Sequence, residues 1–167
     1  LSIVCALIFQ FTSCKDDDII KNEPPSISFV KYELLKDQNQ KDSILIITFS
    51  FEDANGDLGL SRSDTLPPFN PGSIYQFNLW VDMYNLDAAE PEILTRKGTT
   101  EPLNLNQRIP NLTPDGKNKE ISGEIRVQFD ASELVLYPNK IQCHLTVLDR
   151  ALNQSNLIST GIIELQH

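Results

Sequence analysis

The chain has 167 residues, a formal net charge of −9, three cysteines and two histidines. The excess of acid argues against nucleic acid and anionic lipid headgroups as partners, because like charges repel at long range. Two histidines and so few thiols do not make a zinc site.

Residues 1–11 form an apolar run that ends at Thr12-Ser13-Cys14 and is followed at once by Lys15-Asp16-Asp17-Asp18. The run is short of the roughly 20 residues a membrane-spanning helix needs. It fits the apolar region of a secretory signal, which has about 7–15 residues. Small side chains just before a cysteine resemble the lipobox of a bacterial lipoprotein signal, with Phe11 where leucine is usual. The resemblance implies cleavage before Cys14 and lipidation of its sulfur. The chain opens on Leu1 with no basic leader, so the first residues of such a signal are expected to be missing. Each buried methylene contributes about 0.8 kcal/mol and a single acyl chain binds only marginally, so two or three chains give a lasting membrane anchor.

The acidic cluster Asp16-Asp17-Asp18 resembles the export signal beside the acylated cysteine of surface-displayed lipoproteins in the Bacteroidetes. It also reads as a solvated tether, since a block of like charge stays extended. The expected location is the outer membrane, cell-surface exposed, with a periplasm-facing position as the alternative. The expected division is a signal over 1–13, the lipidated Cys14 with its tether over 14–25, and one domain over 26–167. Cys5 departs with the signal and Cys14 is lipidated, which leaves Cys143 as the sole thiol of the mature chain. No intramolecular disulfide can then form, and Cys143 is expected to be a buried, inert thiol.

A two-residue period dominates the domain and marks strands buried on one face. Ile27 and Phe29 alternate with serines, and then Val30, Tyr32 and Leu34 reverse the face. Leu45, Ile47, Phe49 and Phe51 share one face. A strand is expected over Tyr75, Phe77, Leu79, Val81 and Met83, and others over Ile121–Phe129 and Ile141–Val147. A last strand is expected over 157–165. Residues 131–136 predict at most a short turn, and residues 85–120, rich in proline, one or two edge strands. The sum is an all-β, immunoglobulin-like two-sheet β-sandwich in a single domain.

Asp53-Ala54-Asn55-Gly56-Asp57-Leu58-Gly59 follows the second strand. Oxygen side chains at alternate positions suit a hard cation such as Ca2+. The match to an EF-hand is incomplete, with Leu58 at the turn-glycine position. Asn55-Gly56 reads equally as a plain hairpin turn. Asp149-Arg150-Ala151-Leu152-Asn153 leaves the sixth strand, and in an immunoglobulin-like sandwich it projects from the same end as Asp53. Asp53, Asn55, Asp57, Asp149 and Asn153 are therefore the candidate metal residues, with Glu23 near them. Turn capping by short polar side chains is the other reading for Asp149 and Asn153.

The segment Phe49–Leu60 resembles the Phe-x-Asp-Gly-Asp-Gly-Asp-Leu-Gly segment of a family of uncharacterised Bacteroidetes lipoproteins, with Ala54 for glycine and Asn55 for aspartate. Arg108-Ile109-Pro110-Asn111-Leu112-Thr113, Gly123-Glu124-Ile125 and Asp149–Asn156 are similar to later segments of it. The resemblance implies no activity.

Trp80 and Tyr84, with Tyr75, offer an aromatic stripe for stacking a sugar, unless the long middle loop covers them. His144 is expected to be exposed on its strand, without the positioned partner that nucleophilic catalysis needs. The leading expectation is a non-enzymatic, membrane-anchored binding or accessory module with a glycan or envelope protein as partner. A glycan-binding accessory lipoprotein of an outer-membrane uptake system is the first alternative. A small hydrolase built on carboxylates is the second.

Overall fold

The computed structural model describes residues 23–96, 99–116, 119–131 and 138–166. Within them eight strands form two antiparallel sheets packed face to face. Strands β1 (Ser26–Lys36), β2 (Asp42–Asp53) and β5 (Ile121–Asp130) make one sheet in the order β1-β2-β5. The second sheet holds β4 (Glu92–Ile93), β3 (Leu79–Asn85), β6 (Lys140–Val147) and β7 (Ile158–Ser159) in that order, with β8 (Ile163–Glu164) also on β6. The strand order is that of an immunoglobulin-like β-sandwich, as the alternation implied.

The core lies where the apolar faces meet. Leu45, Ile47 and Phe49 of β2 are fully buried, as are Ile141, Cys143, Leu145 and Val147 of β6. Both strands are central in their sheets, so neighbours on both sides seal them. Full burial of each large apolar side chain contributes about 1.5–3 kcal/mol. Gly123 faces Phe51, and a β-carbon there would stand 3.4 Å from the Phe51 ring.

The reversal of face at Val30 is a β-bulge inside one strand. The β1–β2 register shifts between Phe29 and Lys31, which returns Tyr32 and Leu34 to the side of Ile47 and Leu45. Two expected strands are shorter than the alternation suggests. Ile74–Gln76 is a 3-10 turn whose N-cap, Ser73, accepts the Tyr75 N–H, and the ladder starts only at Leu79. The final strand is broken into β7 and β8 at Thr160–Gly161, where Gly161 adopts φ +70° and the Thr160 hydroxyl accepts the Cys143 N–H in place of a ladder bond. The middle segment supplies β4 and an isolated Leu79–Gln107 pairing on the edge of β3.

Residues 1–22, including Cys14, lie outside the described residues, as do 132–137, which hold all but the first residue of the expected short turn. Among the described residues no helix is long and apolar enough to cross a membrane.

Candidate functional site

Asp53 closes β2, and the chain then crosses to the second sheet instead of turning back beside β2. The plain hairpin is therefore corrected: β2 is flanked by β1 and β5, so no edge is left for a returning strand. The crossing begins with two Asx turns. The Asn55 N–H donates to Asp53 Oδ1 at 3.3 Å and the Asp57 N–H to Asn55 Oδ1 at 3.4 Å. Asp53 Oδ2 accepts the Leu58 N–H at 2.9 Å. Gly56 (φ +62°) and Gly59 (φ +97°) let the loop press on its neighbours. A β-carbon on Gly56 would sit 1.7 Å from the Lys119 carbonyl oxygen, and one on Gly59 2.0 Å from that of Pro110.

Leu58 and Leu60 are buried between two other segments. Leu58 bridges to Asp149, and its carbonyl accepts the Leu112 N–H at 3.0 Å. The Leu60 N–H donates to the Ile109 carbonyl at 2.9 Å. These contacts carry Asp57 to Asp149. The Arg150 N–H donates to the Asp57 carbonyl at 3.2 Å.

Asp53, Asp57 and Asp149 thus gather at one end of the sandwich, with Asn55 and Asn153 beside them. Asp53 and Asp149 are buried and Asp57 half-buried. Burial, then the negative charges of Asp149 and Asp53, push the Asp57 carboxyl up to about 6. Asp149 is also raised, mainly by burial, while hydrogen bonds from Asn153 pull it down. Its Oδ1 accepts the Asn153 N–H and its Oδ2 the Asn153 Nδ2, both at 2.7 Å. Asp53 and Asp149 therefore spend both oxygens on N–H groups, the capping role open to Asp149 and Asn153 from sequence, and the Ala151 N–H bonds to the Asp57 carboxylate. Asp57 Oδ1 differs: it is buried and accepts no hydrogen bond. All the donors suit a hard cation chemically. Among the described residues, however, no three Asp, Glu, His or Cys side chains are grouped closely enough to hold a metal between them. Glu23 lies just before β1, which opens opposite Glu52 at this same end.

Three residues without a role from sequence tie this end together. Asn156 caps the start of β1, its Oδ1 accepting the Ile27 N–H and its Nδ2 donating to the Ile27 carbonyl. Arg108 donates to the carbonyls of Gln76, Ser61 and Asp64. Arg150 donates to the Gly59 carbonyl and stands 3.9 Å from the Asp64 carboxylate. Arg108, Arg150 and Asn156 all lie in segments the family resemblance marks, but partners 32 to 129 positions away have no local sequence signal.

The aromatic pair stands apart from the acidic end. Trp80 and Tyr84 share the outer face of β3, opposite the buried Leu79, Val81 and Met83. Both are half-buried, and the Trp80 indole donates to the Phe77 carbonyl at 3.2 Å. His144 packs on Tyr84 with ring centroids 4.8 Å apart, so it is half-buried where the alternation implied exposure. Cys143 is a free, buried thiol that burial pushes up to about 12. A group so rarely ionised near neutrality is inert.

No family model, curated protein or solved structure matches this chain.

Proposed function

We propose that this chain is a lipid-anchored, non-enzymatic β-sandwich of the bacterial envelope that serves as a binding or accessory module. The observation that carries this reading is how the acidic end is built. Most of its carboxylate, amide and arginine groups fix loops, the way a rigid scaffold presents a surface. The signal-like segment ending at Cys14 and the following aspartates support the anchor and the outer membrane. Palmitate labelling of cells tests it: the wild type is expected to carry label and Cys14→Ala none. An unlabelled wild type sinks the anchor.

A calcium-stabilised end is a second part of this reading, favoured by Asp57 Oδ1, a buried acceptor without a donor among like charges. Because Asp53 and Asp149 already serve N–H groups, the expected affinity is weak. It falls in the range of extracellular modules, about 10⁻⁴–10⁻³ M. Calorimetry with calcium checks this, and a melting temperature indifferent to millimolar calcium and to chelator removes the cation.

The glycan reading rests on Trp80 and Tyr84 sharing one outer face with Asp82 and His144. Binding on a glycan array that Trp80→Ala abolishes would favour it. The hydrolase reading rests on Asp57, whose raised carboxyl has the character of a general acid. Turnover lost in Asp57→Asn would favour that one.

A further inference from the structure

The acidic end has a basic neighbour. Where residues 107–112 cross beside Leu60, a cleft of about 410 Å³ opens between Leu60, Arg62, Arg108 and Pro110. It adjoins a hollow of about 240 Å³ that shares Arg108 and Pro110 and reaches Ile125 and Arg126 on β5. Arg62 and Arg108 thus line the cleft, and Arg108 and Arg126 the hollow beside it, in a chain of net charge −9, so their sign is not a by-product of composition.

The three arginines are not equivalent. Arg108 is half-buried and held rigidly, but its partners are the neutral carbonyls of Ser61, Asp64 and Gln76, and its Nε has no acceptor. Among the described residues no carboxylate is within ion-pair distance of Arg108, although the Asp64 carboxylate caps the same turn through the Ser61 N–H, so the Arg108 charge is fixed but not directly paired. Arg62 is exposed and makes no hydrogen bond or ion pair among the described residues. Arg126 is paired with Glu33 at 3.1 Å. A half-buried cation without a direct pair beside apolar walls favours an anion, and a free guanidinium fork is shaped to take a carboxylate through two parallel hydrogen bonds.

We propose that this cleft binds a small organic carboxylate with an apolar body. Arg62 grips the carboxylate, Arg108 supplies fixed positive potential, and the apolar part lies against Leu60 and Pro110. The site is separate from the Asp53–Asp57–Asp149 cluster, and its failure would leave the envelope-module reading untouched.

The test titrates hexanoate into the full chain, carrying Cys14→Ser to keep it free of lipid, with amide signals read by NMR. Millimolar hexanoate is expected to shift Leu60–Arg62 and 108–112, and Arg62→Gln to weaken binding at least about fivefold, as loss of a charge-assisted pair implies. Arg62 anchors nothing in the fold, so this variant reads binding and not folding. Arg108→Gln is unsuitable because it frees three backbone carbonyls. Equal shifts with 1-hexanol would reduce the cleft to an apolar hollow, and equal shifts with inorganic phosphate would remove the role of the apolar walls. Either result, or silence towards hexanoate, overturns the proposal.

Discussion

The two ends of the sandwich use the same side chains to different effect. At the end where β2 begins, Asp42 is buried and pairs with the chain's last stretch: its Oδ2 accepts the Gln166 N–H at 2.7 Å, and its own N–H donates to the Gln166 carbonyl at 3.0 Å. Nearby Asp87 accepts both the N–H and the Nδ2 of Asn139. Asp42 Oδ1 is buried and accepts no hydrogen bond, but a cation, Lys36, stands 4.0 Å from it. At the other end Asp57 Oδ1 is likewise buried without a donor, but the charges that act on its carboxyl most strongly are those of two further acids, Asp149 and Asp53. Short acids that cap backbone groups stabilise a loop when spread out. Crowded together, they add repulsion that only a proton or a cation relieves.

The largest expected effect breaks the close packing that forces the crowding. Gly59→Ala would combine a left-handed backbone with a β-carbon 2.0 Å from the Pro110 oxygen. A loss of about 3 kcal/mol is expected, read from the urea midpoint. Next comes the uncrowded end. Asp42→Ala strips a buried, charged acceptor from Gln166, and about 2 kcal/mol of destabilisation is expected by the same measurement.

Asp57→Asn sharpens the contrast because it should act in the opposite direction. The folded pKa of Asp57, about 6, lies above its unfolded value near 3.8, so the folded state holds its proton more tightly. This group therefore favours folding most below about pH 4, and that contribution is lost as pH rises through 6. At pH 7 without calcium, Asp57→Asn is expected to stabilise by about 1 kcal/mol. The full shift is discounted because the side chain is only half-buried and solvent screens it. The gain should vanish near pH 4 and change sign in millimolar calcium if a cation is bound. A variant less stable than wild type at pH 7 without calcium would mean the three acids do not repel. The smallest effect is expected from the exposed Asp87→Ala, about 0.5–1 kcal/mol, read from its melting temperature.

Much of this architecture was legible in the residues. Leu45–Phe51 and Ile141–Val147 read as strands because their apolar residues alternate towards the core, although Ile46, Thr48 and Thr146 on the other face are buried as well. The phase reversal at Val30 was visible too, although as a change of face without the bulge that produces it. Tyr75 and Phe77 misled because their alternation continues that of Leu79–Met83, while the Ser73 cap bends the chain into a 3-10 turn. The break at Gly161 was missed because the Thr160 hydroxyl stands in for a backbone partner on β6. The meeting of Asp53, Asp57 and Asp149 followed from strand order alone. Whether their oxygens were free did not, since that depends on which N–H each turn directs at them.

Local alternation and the placing of short polar residues in turns, by themselves, determined a two-sheet sandwich and the end at which its acids would gather. Both follow from interactions between near neighbours and from the rule that an apolar face must be covered. Only the tertiary structure decided that Asp57 faces two other acids while Asp42 faces Lys36. It alone decided that Arg108 reaches back to the Ser61–Gln76 loop, bonded to carbonyls and not to a carboxylate, beside an open cleft. These outcomes depend on groups far apart in the chain meeting at hydrogen-bond distance, and no period in the sequence encodes that.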